Sequence, residues 1–320
     1  MLLIILSFMT ITGNITNVLP IIALYAFAGY RLLPAIQKIY NNFTSLRFGA
    51  KALDSVYNDL NNLKPKTQNE YKDTLEFIKS ICLKNIHYTY PNASKTTLKN
   101  INLNIPVNKT IGLVGATGSG KTTVIDIILG LLEPQKGTLE IDDKIIDAHN
   151  KRAWQHSVGY VPQQIFLSDN TVSANIAFGV NKNDVNQAAV EYAAKIANLH
   201  DFVENELPLK YQTIIGERGI RLSGGQRQRI GIARALYHKP KVLVLDEATS
   251  ALDNLTEKTV MSAVHNSEDN ITKILVAHRL STVKNCDKIF LFDKGELNKQ
   301  GTFEELMNIS NDFRESAKNP

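Results

Sequence analysis

The chain contains a glycine-rich segment that ends in a lysine and a threonine, Gly115-Ala-Thr-Gly-Ser-Gly-Lys-Thr122. An apolar run at 110–114 predicts a buried strand before it, and another at 123–132 predicts a helix after it. A phosphate-binding loop requires this strand–loop–helix setting. The glycines let backbone N–H groups turn toward phosphate oxygens, and the positive end of the helix dipole points the same way. We expect Lys121 to reach the β- and γ-phosphates and the Thr122 hydroxyl to bind Mg²⁺.

The residues predicted to contact the nucleotide in this loop are Gly115, Ala116, Thr117, Gly118, Ser119, Gly120, Lys121, Thr122 and Thr123.

A second chemical group stands at the end of another apolar strand, 241–245, where Asp246 and Glu247 follow. The carboxyl ends of strands in an open α/β sheet face the ligand crevice, so Asp246 could hold Mg²⁺ through water. Glu247, the next residue, can point elsewhere and is the natural group to orient or deprotonate an attacking water. Together with the loop at 115–122, this pair predicts a nucleotide-hydrolysing site of the ATPase or GTPase kind.

Between these two elements lies Leu222-Ser-Gly-Gly-Gln226, followed by a predicted helix at 227–236. At this point the chain resembles the ATP-binding cassette (ABC) family, whose signature sequence is LSGGQ. A loop of this composition at a helix N-terminus can cradle phosphate, although Ser223 could also be an ordinary N-cap. The resemblance implies that Ser223, Gly224, Gly225 and Gln226 close over ATP bound to a second cassette. That arrangement is a head-to-tail dimer, either of two identical chains or of two different ones.

The other motifs of the family appear in the expected order, and the resemblance assigns each a role. Tyr90 would stack on adenine, with a buried strand tyrosine as the plainer alternative, and Gln163 would touch Mg²⁺ and the attacking water. Asp253 belongs to a segment that resembles the D-loop of the dimer interface. His278 would contact the γ-phosphate. The resemblance therefore implies ATP and Mg²⁺ as cofactors, with catalysis by Glu247, His278, Lys121 and Gln163 and metal binding by Thr122, Gln163 and Asp246.

The resemblance covers about residues 78–310 and leaves a polar tail at 311–320. It implies an α/β fold, the P-loop NTPase ABC cassette, with a mixed sheet, flanking helices and a helical subdomain. Residues 213–219 resemble the X-loop of exporters, although Ile214-Ile215 replaces the commoner Glu-Val. Two stretches, 23–34 and 154–179, are similar to the exporters that flip lipid-linked oligosaccharides.

The N-terminus differs sharply from the rest, because residues 1–30 contain no Asp, Glu, Lys or Arg. A secretory signal would need basic residues before its apolar core, and a buried core helix is seldom uncharged over this length. A spanning helix needs about 20 residues, so 18–36 predicts the last membrane span and 2–12 the end of another. Basic residues near the end of this span and after it, from Arg31 to Lys51, predict a protein of the inner or plasma membrane whose cassette lies in the cytoplasm.

Apolar residues at spacings of three and four continue the helical pattern through 37–63, and a polar linker follows at 65–77. We therefore expect a long transmembrane-to-cytosol helix before the cassette. Six spanning helices of about 20 residues would need some 120 residues, so residues 1–64 are expected to be the end of a transmembrane domain that requires further helices.

The amino-acid composition excludes some classes of protein but does not distinguish among the functions considered above. The chain has 320 residues, 43% hydrophobic residues and a net charge of +5, which excludes a wholly disordered or fibrous protein. Its two cysteines form no CxxC pair, so a disulfide framework or zinc site is not expected. The predicted function is an ATP-hydrolysing exporter subunit with no nucleic-acid partner. A soluble ABC ATPase acting on nucleic acid or ribosomes is the alternative, and a degenerate, non-catalytic cassette is a third.

Overall fold

The computed structural model describes residues 15–62, 75–91, 93–247, 254–265, 270–277, 280–310 and 313–314, together with Ser7 and Ile11. The chain divides into two compact units, Met1–Glu70 and Tyr71–Pro320.

Among its described residues, the first unit has a long helix, α1 (Ile15–Asn62). Its 48 residues correspond to a length of about 72 Å at 1.5 Å per residue. From Leu19 onward the helix is long and apolar enough to cross a membrane, with a mean hydropathy of 1.6 over its most apolar 18 residues. This confirms the predicted long N-terminal helix. Except for Ser7 and Ile11, the span predicted at 2–12 lies outside the described residues. Residues 63–74, in the linker region, also lie outside them.

The second unit contains two sheets among its described residues. The first is antiparallel, in the order β2 (Leu98–Pro106), β1 (Ser80–Tyr88), β4 (Lys136–Ile141) and β5 (Lys144–Ile145). The aliphatic residues of β2 are buried and the polar residues between them are exposed, as in a half-buried strand. This sheet therefore offers one apolar face to the interior.

The second sheet has the order β10 (Glu296–Gly301), β9 (Lys288–Asp293), β3 (Thr110–Gly115), β8 (Thr272–Val276), β7 (Val242–Asp246) and β6 (Val158–Val161). Five strands are parallel, and β10 pairs antiparallel with β9. Every residue of β7 and β8 is buried, as expected for strands covered on both faces.

The described helices of the cassette are α2 (Lys121–Ile128), α3 (Lys151–His156), α4 (Val172–Ile176), α5 (Gln187–Ile196), α6 (His200–Glu206), α7 (Gly224–Leu236), α8 (Asn254–His265), α9 (Leu280–Val283) and α10 (Phe303–Ile309). Short 3-10 turns lie at Lys182–Asp184, Lys210–Gln212 and Glu217–Gly219. Helices α4 to α7 share one apolar core with β7, whereas α2 packs in a second core with both sheets. This is the predicted mixed sheet with flanking helices and a helical subdomain.

Helix α2 differs from its sequence prediction of 123–132. It begins at Lys121, because Gly120 in the left-handed region serves as its N-cap. It ends at Ile128, and Gly130 follows with a φ of 65° that a helix cannot continue.

Parallel pairing brings the functional segments to one edge of the sheet. Leu113 pairs with Val276 and Asp246 pairs with Val276, while Val161 pairs with Leu245. The carboxyl ends of β3, β6, β7 and β8 therefore meet where ligands bind in sheets of this kind.

Candidate active site

The loop between β3 and α2 has a backbone that only glycine allows at two points. Gly120 has a φ of 102°, and a Cβ there would lie 2.7 Å from Leu98 Cδ2. A Cβ on Gly115 would collide with the carbonyl oxygen of Phe292. The loop is thus tightly enclosed on the side facing the protein, whereas Gly118, with a φ of 77°, has open space beside it.

Lys121 lies at the start of α2 and turns its side chain back over the loop. Its Nζ donates hydrogen bonds to the carbonyl oxygens of Gly115 (2.8 Å) and Ala116 (3.0 Å). Desolvation lowers the pKa of Lys121, an effect opposed by the charges of Glu247 and Asp246. The ammonium group is therefore buried beside the two carboxylates of the second predicted group.

Ser119 provides a test of whether the loop fits a phosphate. Its hydroxyl oxygen is buried and has no hydrogen-bond partner among the described residues. The first N–H groups of α2 likewise lack partners within the helix, and Thr122 is exposed beside them. A polyphosphate would satisfy these donors, so the loop fits a nucleotide.

Asp246 ends β7 as a buried carboxylate. Desolvation first, and then the charge of Glu247, raises the pKa of Asp246. Tyr160, in the neighbouring strand β6, lies with its hydroxyl 3.4 Å from Asp246 Oδ2 and donates to it. Burial raises the pKa of Tyr160 to about 12, which keeps this donor protonated. A buried carboxylate at a ligand-binding edge suits a Mg²⁺ ion, because the ion would compensate its charge.

Glu247 adopts a left-handed backbone, with a φ of 50°. Such a conformation costs on the order of 1 kcal/mol or more in a non-glycine residue and is concentrated at functional sites. It directs the side chain to Gln163, whose Nε2 donates to Glu247 Oε2 at 2.6 Å. Two residues that are 84 positions apart in the sequence are thus brought together.

Tyr90 follows β1 and retains 39% of its surface exposed. Its hydroxyl lies 3.2 Å from Thr123 Oγ1, and its ring meets that of Tyr88 edge-on at 5.0 Å. The buried strand tyrosine is therefore Tyr88, and Tyr90 has a partly open ring beside the phosphate-binding loop.

The LSGGQ segment forms a capping box at the start of α7. Ser223 Oγ accepts from Gln226 N at 3.2 Å, and Gln226 Oε1 accepts from Ser223 N at 2.8 Å. Within one chain, Ser223 is therefore an ordinary helix N-cap, which was the plainer of the two predictions. Gly224 and Gly225 form the first turn of the helix.

Two predicted site residues, Asp253 and His278, lie outside the described residues. The sequence reasoning did not identify Tyr160, because its contact with Asp246 joins residues 86 positions apart on two strands that only the fold brings together. It also did not identify Asn181-Lys182-Asn183-Asp184, which has the NKxD spacing of guanine-binding loops. That segment lies in a turn between α4 and α5, where Asn181 Nδ2 donates to Asp184 Oδ2 at 3.3 Å.

Several known proteins resemble this chain in sequence or in fold. A family profile described as ABC transporter matches residues 98–250. The chain is 37% identical to the "Leukotoxin translocation ATP-binding protein LktB" of Mannheimia glucosida over 95% of this chain and 42% of that protein. It is 42% identical to the "ATP-dependent lipid A-core flippase" of Saccharophagus degradans over 71% of this chain and 38% of that protein.

Among solved structures, a bacterial Atm1-family ABC exporter with ATP bound is similar, with a TM-score of 0.76 and 30% identity. The match covers 85% of this chain and 47% of that one. The chain thus spans less than half the length of these relatives.

Proposed function

This chain belongs to the ABC transporter family, whose ATP-binding domain hydrolyses ATP, and from that premise we propose that it is the ATP-hydrolysing part of a membrane exporter. The observation that carries the proposal is the meeting of Lys121, Asp246 and the Gln163–Glu247 pair at one sheet edge. Phosphate-binding, metal-binding and base groups there have the arrangement that phosphoryl transfer to water requires.

The chain's own residues support each step of ATP hydrolysis. Lys121 binds the β- and γ-phosphate oxygens, for which it exchanges its contacts with the Gly115 and Ala116 carbonyls. Glu247 orients the attacking water and accepts its proton on the carboxylate, while Gln163 holds that carboxylate in place through its hydrogen bond to Oε2. Asp246 and Thr122 would hold Mg²⁺, which supplies charge neutralisation on the phosphates when bound. His278, to which the family resemblance assigns a contact with the γ-phosphate, would complete the site.

The Tyr90 ring supports adenine binding, because its open face stands next to the loop. Ser223, Gly224, Gly225 and Gln226 have a different role in the proposal. They cap a helix in their own chain and would contact ATP bound to a second cassette, with Asp253 at the interface between the two. The functional unit is then a head-to-tail dimer whose ATP-driven closure moves membrane helices.

Helix α1 supports the membrane part of the proposal, because its apolar stretch is long enough to span a bilayer. We expect the full assembly to lie in a cell membrane with further helices. A lipid or lipid-linked saccharide is the substrate class that we favour, since one similar protein is a lipid A-core flippase.

Mg²⁺-dependent ATPase activity of the purified chain tests the proposal, with Glu247→Gln as the decisive variant. Loss of the base should lower turnover by about 10²–10⁴-fold and leave ATP binding intact. The matched control is Glu296→Gln, an exposed carboxylate in a 3.7 Å ion pair with Lys99. Normal hydrolysis by Glu247→Gln would show that another group is the base.

The soluble alternative, a nucleic-acid or ribosome ATPase, is tested separately. Alkaline carbonate extraction should leave the expressed chain in the membrane fraction. Release into the supernatant would remove the support for an exporter while leaving the ATPase proposal in place.

A further inference from the structure

The chain enters the cassette through residues 75–80, here called the lead-in segment. The Asp142 carboxylate accepts hydrogen bonds from three consecutive backbone N–H groups of this segment, at Ile78 (2.6 Å), Lys79 (2.8 Å) and Ser80 (3.0 Å). Because main-chain donors make these contacts, the backbone itself is fixed to the β4–β5 turn. The lead-in segment is thus anchored to the cassette.

The same segment also contacts helix α3. The Phe77 ring meets the Trp154 ring edge-on, at 6.0 Å and an interplanar angle of 73°. Both side chains are buried, Trp154 completely. One turn further along, Ser157 Oγ donates to the Leu75 carbonyl at 3.3 Å. A displacement of the lead-in segment must therefore change the packing around Trp154.

Trp154 in turn holds the far end of the phosphate-binding helix α2. Its Nε1 donates to the Ile128 carbonyl at 2.6 Å. The last carbonyls of a helix lack partners within it, and the neighbouring Gln155 Nε2 donates to the next two, those of Leu129 (3.2 Å) and Gly130 (3.3 Å). Helix α2 has eight residues and is therefore about 12 Å long, with Lys121 at one end and Trp154 capping the other.

We propose that Trp154 is a positioning residue for the nucleotide site, which it links through Phe77 to the lead-in segment. It fixes the phosphate-binding helix from behind, so nucleotide at the N-terminal end and the position of the lead-in segment influence each other. This inference rests on the proposed binding of ATP at 115–122. Because binding linkage is reciprocal, the coupling can be measured from the nucleotide end alone.

The chain supplies its own probe, since Trp154 is its only tryptophan. In the purified full chain, tryptophan emission should change saturably as ATP is added with Mg²⁺, at the same midpoint as ATP binding measured by equilibrium dialysis. Binding by dialysis with flat emission would overturn the inference and leave the proposed function standing. Absence of binding by dialysis would overturn the proposed function itself.

Phe77→Leu tests the link while leaving an apolar side chain in the core. We expect it to raise the KM for ATP about threefold to tenfold, with kcat nearly unchanged, and to reduce the emission change. Phe313→Leu is the matched control, because Phe313 is also buried and meets Phe303 edge-on at 5.5 Å. If the two substitutions changed the KM equally, Phe77 would have only a general packing role, and the proposal would be contradicted.

Trp154→Phe keeps an aromatic ring and removes the donor to Ile128. We expect the KM for ATP to rise in this variant too, and by more than in Phe77→Leu. An unchanged KM in a folded Trp154→Phe protein would overturn the proposal, and if that variant does not fold, the Phe77 comparison still decides.

Discussion

Two glycine-rich loops at helix N-termini look alike in the sequence and differ in the structure. The loop at 115–122 leaves the buried Ser119 hydroxyl without a partner among the described residues. The loop at 222–226 is satisfied within itself, because Ser223 and Gln226 exchange two hydrogen bonds. The first loop therefore has donors to offer a ligand in its own chain. The Ser223 and Gln226 side chains of the second loop cap the start of α7. We expect this loop to contact ATP only across a dimer interface.

The largest change in ATP affinity is expected from the basic residue in or next to each loop. Lys121→Ala should weaken ATP binding about 10- to 100-fold, because charge-assisted hydrogen bonds to phosphate are lost. Arg227, whose Nη1 donates to the Leu222 carbonyl at 3.3 Å, is the counterpart after the second loop. Arg227→Ala should leave ATP affinity unchanged in equilibrium dialysis. Equal losses at both positions would remove the distinction between the loops.

The hydroxyl groups of the two loops allow a subtler comparison. Ser119→Ala should weaken ATP binding about threefold to tenfold, as expected for one lost hydrogen bond, without lowering stability. Ser223→Ala should do the reverse: loss of an N-cap costs about 1 kcal/mol and lowers Tm by roughly 2–4 °C.

Thermal unfolding by circular dichroism and equilibrium dialysis on the same preparations measure both quantities. If Ser119→Ala lowered Tm and left affinity unchanged, the Ser119 hydroxyl would be structural.

The smallest effect concerns the anchor of the lead-in segment. Desolvation raises the pKa of Asp142, but the N–H donors of Ile78, Lys79 and Ser80 outweigh it, and the net pKa is lowered. A carboxyl group with a depressed folded-state pKa stabilises the fold above its unfolded pKa of about 4, and this contribution is lost as the pH falls through the folded value.

Asp142→Asn, which tolerates the φ of 49° at this position, should therefore lower the free energy of unfolding at pH 7 by roughly 0.5–1 kcal/mol. The difference from the unsubstituted chain should vanish as the pH falls below the depressed folded-state pKa of Asp142. The neighbouring Asp143→Asn is the control, because its ion pair with Lys79 is exposed. A difference that persisted in acid would show that charge is not the cause.

The functional units that are contiguous in the chain can be predicted from the sequence. The strand–loop–helix at 110–128 and the long helix α1 follow from local composition and periodicity, and both are present. The contacts that form when distant segments of the chain pack together cannot be predicted in this way. The Gln163–Glu247 hydrogen bond and the Trp154–Ile128 bond join residues 84 and 26 positions apart. The left-handed backbone at Glu247 likewise has no composition signal, because glutamate is not a residue that prefers it.

A composite ATP site shared by two cassettes predicts that two differently substituted copies of this chain complement each other. Lys121→Ala disables the first loop. Gly225→Asp disables the second, because an acidic residue suits the first turn of a helix but repels phosphate.

Chains carrying one substitution each, with different affinity tags, are co-expressed and purified through both tags. Each such complex keeps one intact composite site of two, so its ATPase activity should be about half that of the unsubstituted chain. Either variant alone should be nearly inactive. Recovery of no doubly tagged complex, or of one no more active than the single variants, would contradict the account.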